Sequence, residues 1–169
     1  MKQKTYQKMT DFFRRPGWPS TVLFILKTGI PILIACIYLA GCLYFLLTDM
    51  QILIRYACVP LIGFLFITVL RKIINRKRPY EVYDYQPLKN PDHLKQGQSF
   101  PSRHSGSAAL IAMAIMAYSP LWLGILMIVL AILTALSRLL AGLHYPSDVF
   151  AGLAIGFGVG FIGFYPVIF

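Results

Sequence analysis

The chain has 169 residues, of which 57% are hydrophobic and only 13% charged, whereas a soluble domain of this size is about a quarter charged. Beyond residue 104 the only Asp, Glu, Lys or Arg are Arg138 and Asp148. This excludes an ordinary soluble domain, a disordered chain and a disulfide scaffold, and points to a small integral membrane protein. The net charge of +10 reflects 16 Lys and Arg against 6 Asp and Glu. Such a balance suits anionic headgroups or a phosphorylated substrate. Nucleic acid is not an expected partner, because the bases are interleaved with apolar spans rather than laid on a polar face. Cys36, Cys42 and Cys58 sit in apolar stretches without metal-ligand spacing and read as apolar filler.

Residues 1–19 carry Lys2, Lys4, Lys8, Arg14 and Arg15 mixed with Met9, Phe12, Phe13 and Trp18. There is no apolar leader core or small-residue cleavage site, so an interfacial segment on the headgroups is expected. Residues 21–47 form a first apolar run, broken mainly by Lys27, Thr28, Gly29 and Pro31. Lys27 lies near one end, where it can snorkel. Residues 52–70 form a second span with Pro60 as a kink point. Its helix is expected to run a turn or two past Leu70 and to stop before Pro79. Residues 79–100 form a polar loop, long enough in so small a chain to read as functional. Further spans follow at 101–118, 121–136 and 148–169, the last rich in glycine that permits close helix packing. The expected fold is thus all-α: residues 1–169 form a single transmembrane domain of five helices with a short interfacial segment at the N-terminus.

Counting crossings brings three polar clusters to one end of this bundle, where ionisable residues at a membrane edge mark a site. The first is Arg71-Lys-Ile-Ile-Asn-Arg-Lys-Arg78-Pro79. Seven residues are about two helical turns, so Arg71 and Arg78 are expected to share a face with Asn75. Two planar guanidinium forks suit a phosphate, although a patch holding anionic headgroups would look the same. The second is Pro101-Ser102-Arg103-His104 at the start of the third span. Free N–H groups at a helix N-terminus bind anions, Ser102 adds a hydroxyl, and His104 can move a proton near neutral pH. Alternatively Ser102 is only an N-cap. The third is Ser137-Arg138, His144 and Asp148. A carboxylate near a histidine can fix the imidazole tautomer and raise its nucleophilicity, or Asp148 can be a plain helix cap. The remaining histidine, His93, reads as a solvated loop residue.

In order and spacing these residues resemble the type 2 phosphatidic acid phosphatase superfamily. Its motifs are Lys-x6-Arg-Pro, Pro-Ser-Gly-His and Ser-Arg-x5-His-x3-Asp. The third is matched in full by Ser137, Arg138, His144 and Asp148, the second with Arg103 in place of glycine, and the first with Arg71 in place of lysine. The resemblance implies a membrane lipid phosphatase that hydrolyses a phosphate or diphosphate through a phosphohistidine, without metal or other cofactor. The substrate class would be a phospholipid or polyprenyl phosphate, such as undecaprenyl diphosphate, phosphatidylglycerophosphate or phosphatidate. It makes His144 the nucleophile, Asp148 the group holding its other ring nitrogen, and His104 the acid for the leaving oxygen. Arg71, Arg78, Ser102, Arg103 and Arg138 would hold the phosphoryl oxygens. Membrane members of the family commonly have six spans and work on the extracytoplasmic face of the cell membrane, so a first span is expected to be missing here. The competing reading is a membrane protein that binds anionic lipid or transfers phosphoryl groups with weak hydrolysis.

Overall fold

The computed structural model describes residues 3–88 and 94–165, and among them the chain is helical without strands. His93, read above as a solvated loop residue, falls outside the described residues. In chain order the helices are α1 (Gln3–Arg14), α2 (Trp18–Phe24), a π-helical turn (Ile25–Gly29), α3 (Ile30–Thr48), α4 (Met50–Ile74), the short α5 (Pro79–Val82), α6 (Arg103–Tyr118), α7 (Leu121–Leu140) and α8 (Pro146–Phe164).

Among the described residues, four stretches are long and apolar enough to cross a membrane: Trp18–Thr48, Met50–Val82, Leu121–Leu140 and Pro146–Phe164. Their outer faces expose large apolar side chains such as Leu39, Leu43, Leu61, Ile62, Trp122 and Ile162, as a lipid-facing surface does. The stretch expected to be the third span, α6, has 16 residues, or about 24 Å at helical rise, short of the ~30 Å hydrocarbon core. It packs against α3, α4, α7 and α8. Nine of its residues are buried, among them Ala108, Ala109, Ala112 and Ala114. A helix enclosed by protein need not match the bilayer by itself.

Small residues bring α6 and α8 together. Gly152, Gly156 and Gly160 recur every four residues along one stripe of α8, the spacing that stacks them on one face. A Cβ at Gly152 would run into the Ser102 carbonyl, and one at Gly156 would lie 2.5 Å from the Gly106 carbonyl oxygen. The backbones therefore meet directly at the N-terminal end of α6.

Two prolines inside helices are accommodated by the same device. A proline has no N–H for the carbonyl four residues earlier. Pro60 leaves the Tyr56 carbonyl, which accepts from the Tyr38 hydroxyl at 3.3 Å. Pro31 leaves the Lys27 carbonyl, which accepts from Arg138 Nη2 at 2.9 Å.

The N-terminal α1 docks onto the polar end of the bundle. Tyr6 and Thr10 are buried, with Tyr6 fully enclosed. The Tyr6 ring stacks on Tyr85 at 5.2 Å and meets Tyr145 edge-on at 6.4 Å, while its hydroxyl donates to the His144 carbonyl at 3.3 Å. Gln3 and Gln7 donate to the Asp84 carbonyl and Arg14 to that of Gln86.

Candidate active site

The end of α4 sets the first cluster, and here the expected geometry is corrected. Arg71 and Arg78 do not share a helix face. Asn75 adopts the left-handed conformation (φ 40°, ψ 42°) and stops the helix after Ile74, a conformation asparagine tolerates better than most residues. The Asn75 side chain leaves the arginine face and accepts from Gln98 N–H at 3.2 Å. Arg71 and Arg78 still meet, because the chain turns. Arg71, in the last turn of α4, gives Nη1 to the Pro101 carbonyl at 2.9 Å. Arg78, beyond the turn, gives Nε to the Gly97 carbonyl at 3.0 Å. Each spends one donor on the scaffold and retains others from its fork. Glu81 accepts from the Arg78 and Gly97 backbone N–H groups.

Ser102 stands at the N-cap of α6 but makes no capping bond with its side chain. Its backbone N–H donates to the Asp148 carbonyl at 2.8 Å, and its hydroxyl accepts from Ser105 at 2.9 Å. It is fully buried and does not line the cavity. Arg103 and His104 open α6 and line the cavity. His104 is exposed there, as a group that exchanges a proton with a bound molecule must be. Arg103 places its guanidinium 5.4 Å from the Phe64 ring centroid.

His144, in the connection between α7 and α8, is 3% exposed. Its Nδ1 lies 2.9 Å from the Ser99 carbonyl oxygen and 3.6 Å from Asp148 Oδ2. The direct acceptor is thus the Ser99 carbonyl, where the sequence pointed to the Asp148 carboxylate. A carbonyl only accepts, so Nδ1 carries the proton and Nε2 keeps its lone pair. Burial pushes the His144 pKa down, with the Arg78 and Arg71 charges adding to it and Asp148 opposing, which favours the neutral ring. Asp148 is fully buried and is the third residue of α8 rather than its cap. Its carboxylate accepts from the Ser99 hydroxyl, from Tyr145 N–H at 3.0 Å and from Arg76 Nη1 at 2.8 Å.

Arg76 is a site residue that the motif reading passed over. It also donates to Ser147 Oγ at 2.8 Å, and its guanidinium lies 4.2 Å from the Tyr145 ring centroid. Within its motif it sits among the six unspecified positions. Only the contact across the fold, to Asp148, reveals it. Ser99 and Tyr6 are found the same way, through their bonds to Asp148 and His144.

These residues surround a cavity of about 500 Å³ whose lining includes His104 and His144 together with Lys27, Arg71, Arg78, Lys95, Arg103 and Arg138. Among the described residues, the lining carries six cations and no carboxylate. Arg138 is 7% exposed, and its Nε has no hydrogen-bond partner. A buried charged donor without a partner is costly, and an anion in the cavity would satisfy it. Ser102 and Asp148 are buried and do not line it. Ser137 is likewise buried and bonded to the Thr134 carbonyl, whereas Arg71, Arg78, Arg103, His104, Arg138 and His144 line the cavity.

The profile of the PAP2 superfamily matches residues 32–167. A relative from Escherichia coli K12, named "Putative undecaprenyl-diphosphatase YbjG", is 30% identical over 145 residues, covering 83% of this chain and 69% of its own length. Two crystal structures share the fold. The Aquifex aeolicus LpxE structure superposes with a TM-score of 0.73 at 20% identity, over 95% of this chain and 92% of the other. The transmembrane PAP2-type phosphatidylglycerolphosphate phosphatase of Bacillus subtilis superposes with a TM-score of 0.66 at 24% identity, over 95% and 83%.

Proposed function

The chain belongs to the PAP2 superfamily and is a multi-pass membrane phosphate ester hydrolase; on that basis we propose that it removes a phosphoryl group from a membrane lipid through a phosphohistidine on His144. The observation that carries this reading is the pairing of a neutral, buried imidazole with a cavity walled by guanidinium groups. Nδ1 of His144 is committed to the Ser99 carbonyl, which leaves Nε2 to attack phosphorus. Arg71, Arg78, Arg138 and the N–H groups at the start of α6 hold the phosphoryl oxygens as charge shifts in the transition state. Ser102 supports this cradle by fixing the start of α6 against Asp148. His104 protonates the leaving oxygen and then takes a proton from the water that cleaves the phosphoenzyme.

Asp148 acts through its neighbours. It pins Ser99, Tyr145 and Arg76, and so sets the carbonyl that orients His144. Its negative charge also stabilises the imidazole as it becomes cationic on phosphorylation.

The substrate is a lipid phosphate or diphosphate, with undecaprenyl diphosphate, phosphatidylglycerophosphate and phosphatidate as candidates. The name of the Escherichia coli relative supports the first of these. The lipid reading is also supported by an apolar groove of about 260 Å³, lined by Ile34, Phe64, Ala108 and Ile111, which adjoins the cation cavity through Pro31, Arg103 and His104. The site works on the extracytoplasmic face of the cell membrane, as the motif resemblance implies, in a bundle of five crossings with α6 as the enclosed one. Labelling of Gln86→Cys by a membrane-impermeant thiol reagent in intact cells tests that side, and labelling only after lysis refutes it.

The activity itself is tested by phosphate release from a panel of lipid monophosphates and diphosphates by the purified protein. Release from at least one lipid is expected, and its absence from all of them would overturn the reading.

A further inference from the structure

We propose that Ser107 and Thr134 form a polar notch in the apolar groove that takes an ester carbonyl of the bound lipid, and so act as specificity residues for the part of the lipid next to the phosphate; this rests on the phosphatase reading above. The inference starts from two hydroxyls that the folded chain leaves without a partner. Ser107 Oγ and Thr134 Oγ1 are buried, and neither makes a hydrogen bond. Thr134 is 1% exposed. Both residues line the apolar groove of about 260 Å³.

Helix geometry sets the depth of the notch. His104, Ser107, Ala108 and Ile111 of α6 all line the groove, at the three- and four-residue steps that keep side chains on one face. Only Ser119 and Pro120 separate α6 from α7, and the two helices pack together, so α7 runs back toward the cation cavity. Thr134 precedes Arg138 by four residues, and Arg138 lines that cavity. Ser107 follows His104 by three. Each hydroxyl therefore stands about one helical turn, ~4.5–6 Å, deeper in the bundle than His104 or Arg138.

A hydroxyl stranded in an apolar wall is costly. Alanine and valine would fill the same two places without that cost. The missing partner must come from what enters the groove. A carbonyl oxygen has two lone pairs and can accept from both hydroxyls. In a lipid whose chains are joined by esters, the first carbonyl oxygen stands a few bonds beyond the leaving oxygen of the phosphate, a reach on the scale of one helical turn. With the leaving oxygen at His104 and the chain in the groove, that carbonyl meets Ser107 and Thr134. A prenyl chain brings only carbon to this depth and leaves both hydroxyls unpaired.

The test uses the purified full chain and two lipid phosphates that differ only in how their short chains are joined, a diacyl glycerol phosphate and its dialkyl ether analogue, with a prenyl phosphate alongside. Wild-type kcat/KM is expected to favour the ester over the ether about three- to tenfold, the worth of one or two neutral hydrogen bonds. In the double variant Ser107→Ala, Thr134→Val this ratio is expected to fall to about one, while thermal unfolding in detergent without lipid stays level or moves up, because apolar groups replace stranded hydroxyls. A wild-type ratio near one, the result if the hydroxyls hold only water, overturns the notch. So does a preference that survives in the double variant, a double variant that unfolds well below wild type, or turnover of the prenyl phosphate with neither glycerol lipid hydrolysed. Should the double variant fail to accumulate in membranes, Ser107→Ala alone carries the same comparison, and an unchanged ratio there overturns the notch equally. Wild-type protein that releases phosphate from none of the three lipids defeats the phosphatase reading instead.

Discussion

Nδ1 of His144 and the carbonyl oxygen of Ser99 lie 2.9 Å apart. The Ser99 carbonyl is itself fixed: the Ser99 hydroxyl donates to Asp148, and the Ser99 N–H donates to the Arg76 carbonyl at 2.8 Å. The tautomer of the proposed nucleophile therefore depends on one short stretch of loop, pinned between the end of α4 and the start of α8.

Arg76 is the outer pin of that arrangement. Its removal leaves the buried Asp148 carboxylate without its cationic partner. The cost to stability is expected at about 1–2 kcal/mol, below that of a fully buried pair because the Arg76 side chain is 39% exposed. Arg76→Met should lower kcat about tenfold with a smaller effect on KM, since Arg76 does not line the cavity. Steady-state kinetics on a short-chain lipid phosphate checks this.

The contact between α6 and α8 predicts a contrast between two glycines. Gly152→Ala places a methyl group against the Ser102 carbonyl and pushes apart the backbones that join Ser102 N–H to the Asp148 carbonyl. A loss of about 1–3 kcal/mol and a marked fall in activity are expected. Gly158 has nothing within 4 Å of its Cβ position, so Gly158→Ala should be neutral or slightly stabilising. Thermal unfolding in detergent measures both.

The acid limb of the pH profile follows from His144. Burial lowers its pKa, so the attacking ring stays neutral below the ordinary imidazole value of about 6.5. The acid-side loss of kcat/KM due to this group should therefore lie below that value. The sign for stability is the same. The unfolded chain binds the proton first as pH falls, so the His144 contribution is complete above about pH 6.5 and is lost progressively toward the lower folded value. A kcat/KM–pH profile and unfolding at several pH values check the two statements.

How much of this was legible in the sequence depended on the range of the contacts. The apolar runs at 21–47 and 52–70 announce helices without any tertiary information. Helix α6 is shorter than a bilayer core, and its enclosure by α3, α4, α7 and α8 could not be read from its own residues. The shared face expected of Arg71 and Arg78 failed because one residue, Asn75, turned left-handed and ended the helix. The acceptor for His144 was missed because it is a backbone carbonyl, which carries no sequence signal. Lys27 read as a snorkelling base, since its place at the cavity depends on an Arg138 more than a hundred residues later. Arg138, His104 and His144 were recognisable because ionisable side chains are rare in such apolar sequence.

Residues 1–19 looked from composition like an interfacial segment, and Tyr6 gives α1 a further anchor. Tyr6 is fully enclosed, and removing its ring should cost about 3–5 kcal/mol, as for other large buried aromatics. Tyr6→Phe removes only the bond to the His144 carbonyl, worth about 0.5–1.5 kcal/mol. Unfolding measurements on both variants should show this order, with proteolysis near Arg14 increased only in Tyr6→Ala.

The most direct measurement is trapping of the phosphoenzyme. Rapid acid-free quenching after mixing with a radiolabelled lipid phosphate should capture an acid-labile, base-stable phosphoryl group on wild-type protein, mapped by mass spectrometry to His144. His144→Ala should show neither label nor turnover. Substantial turnover by His144→Ala, or a label mapped to another residue, would contradict the proposed chemistry.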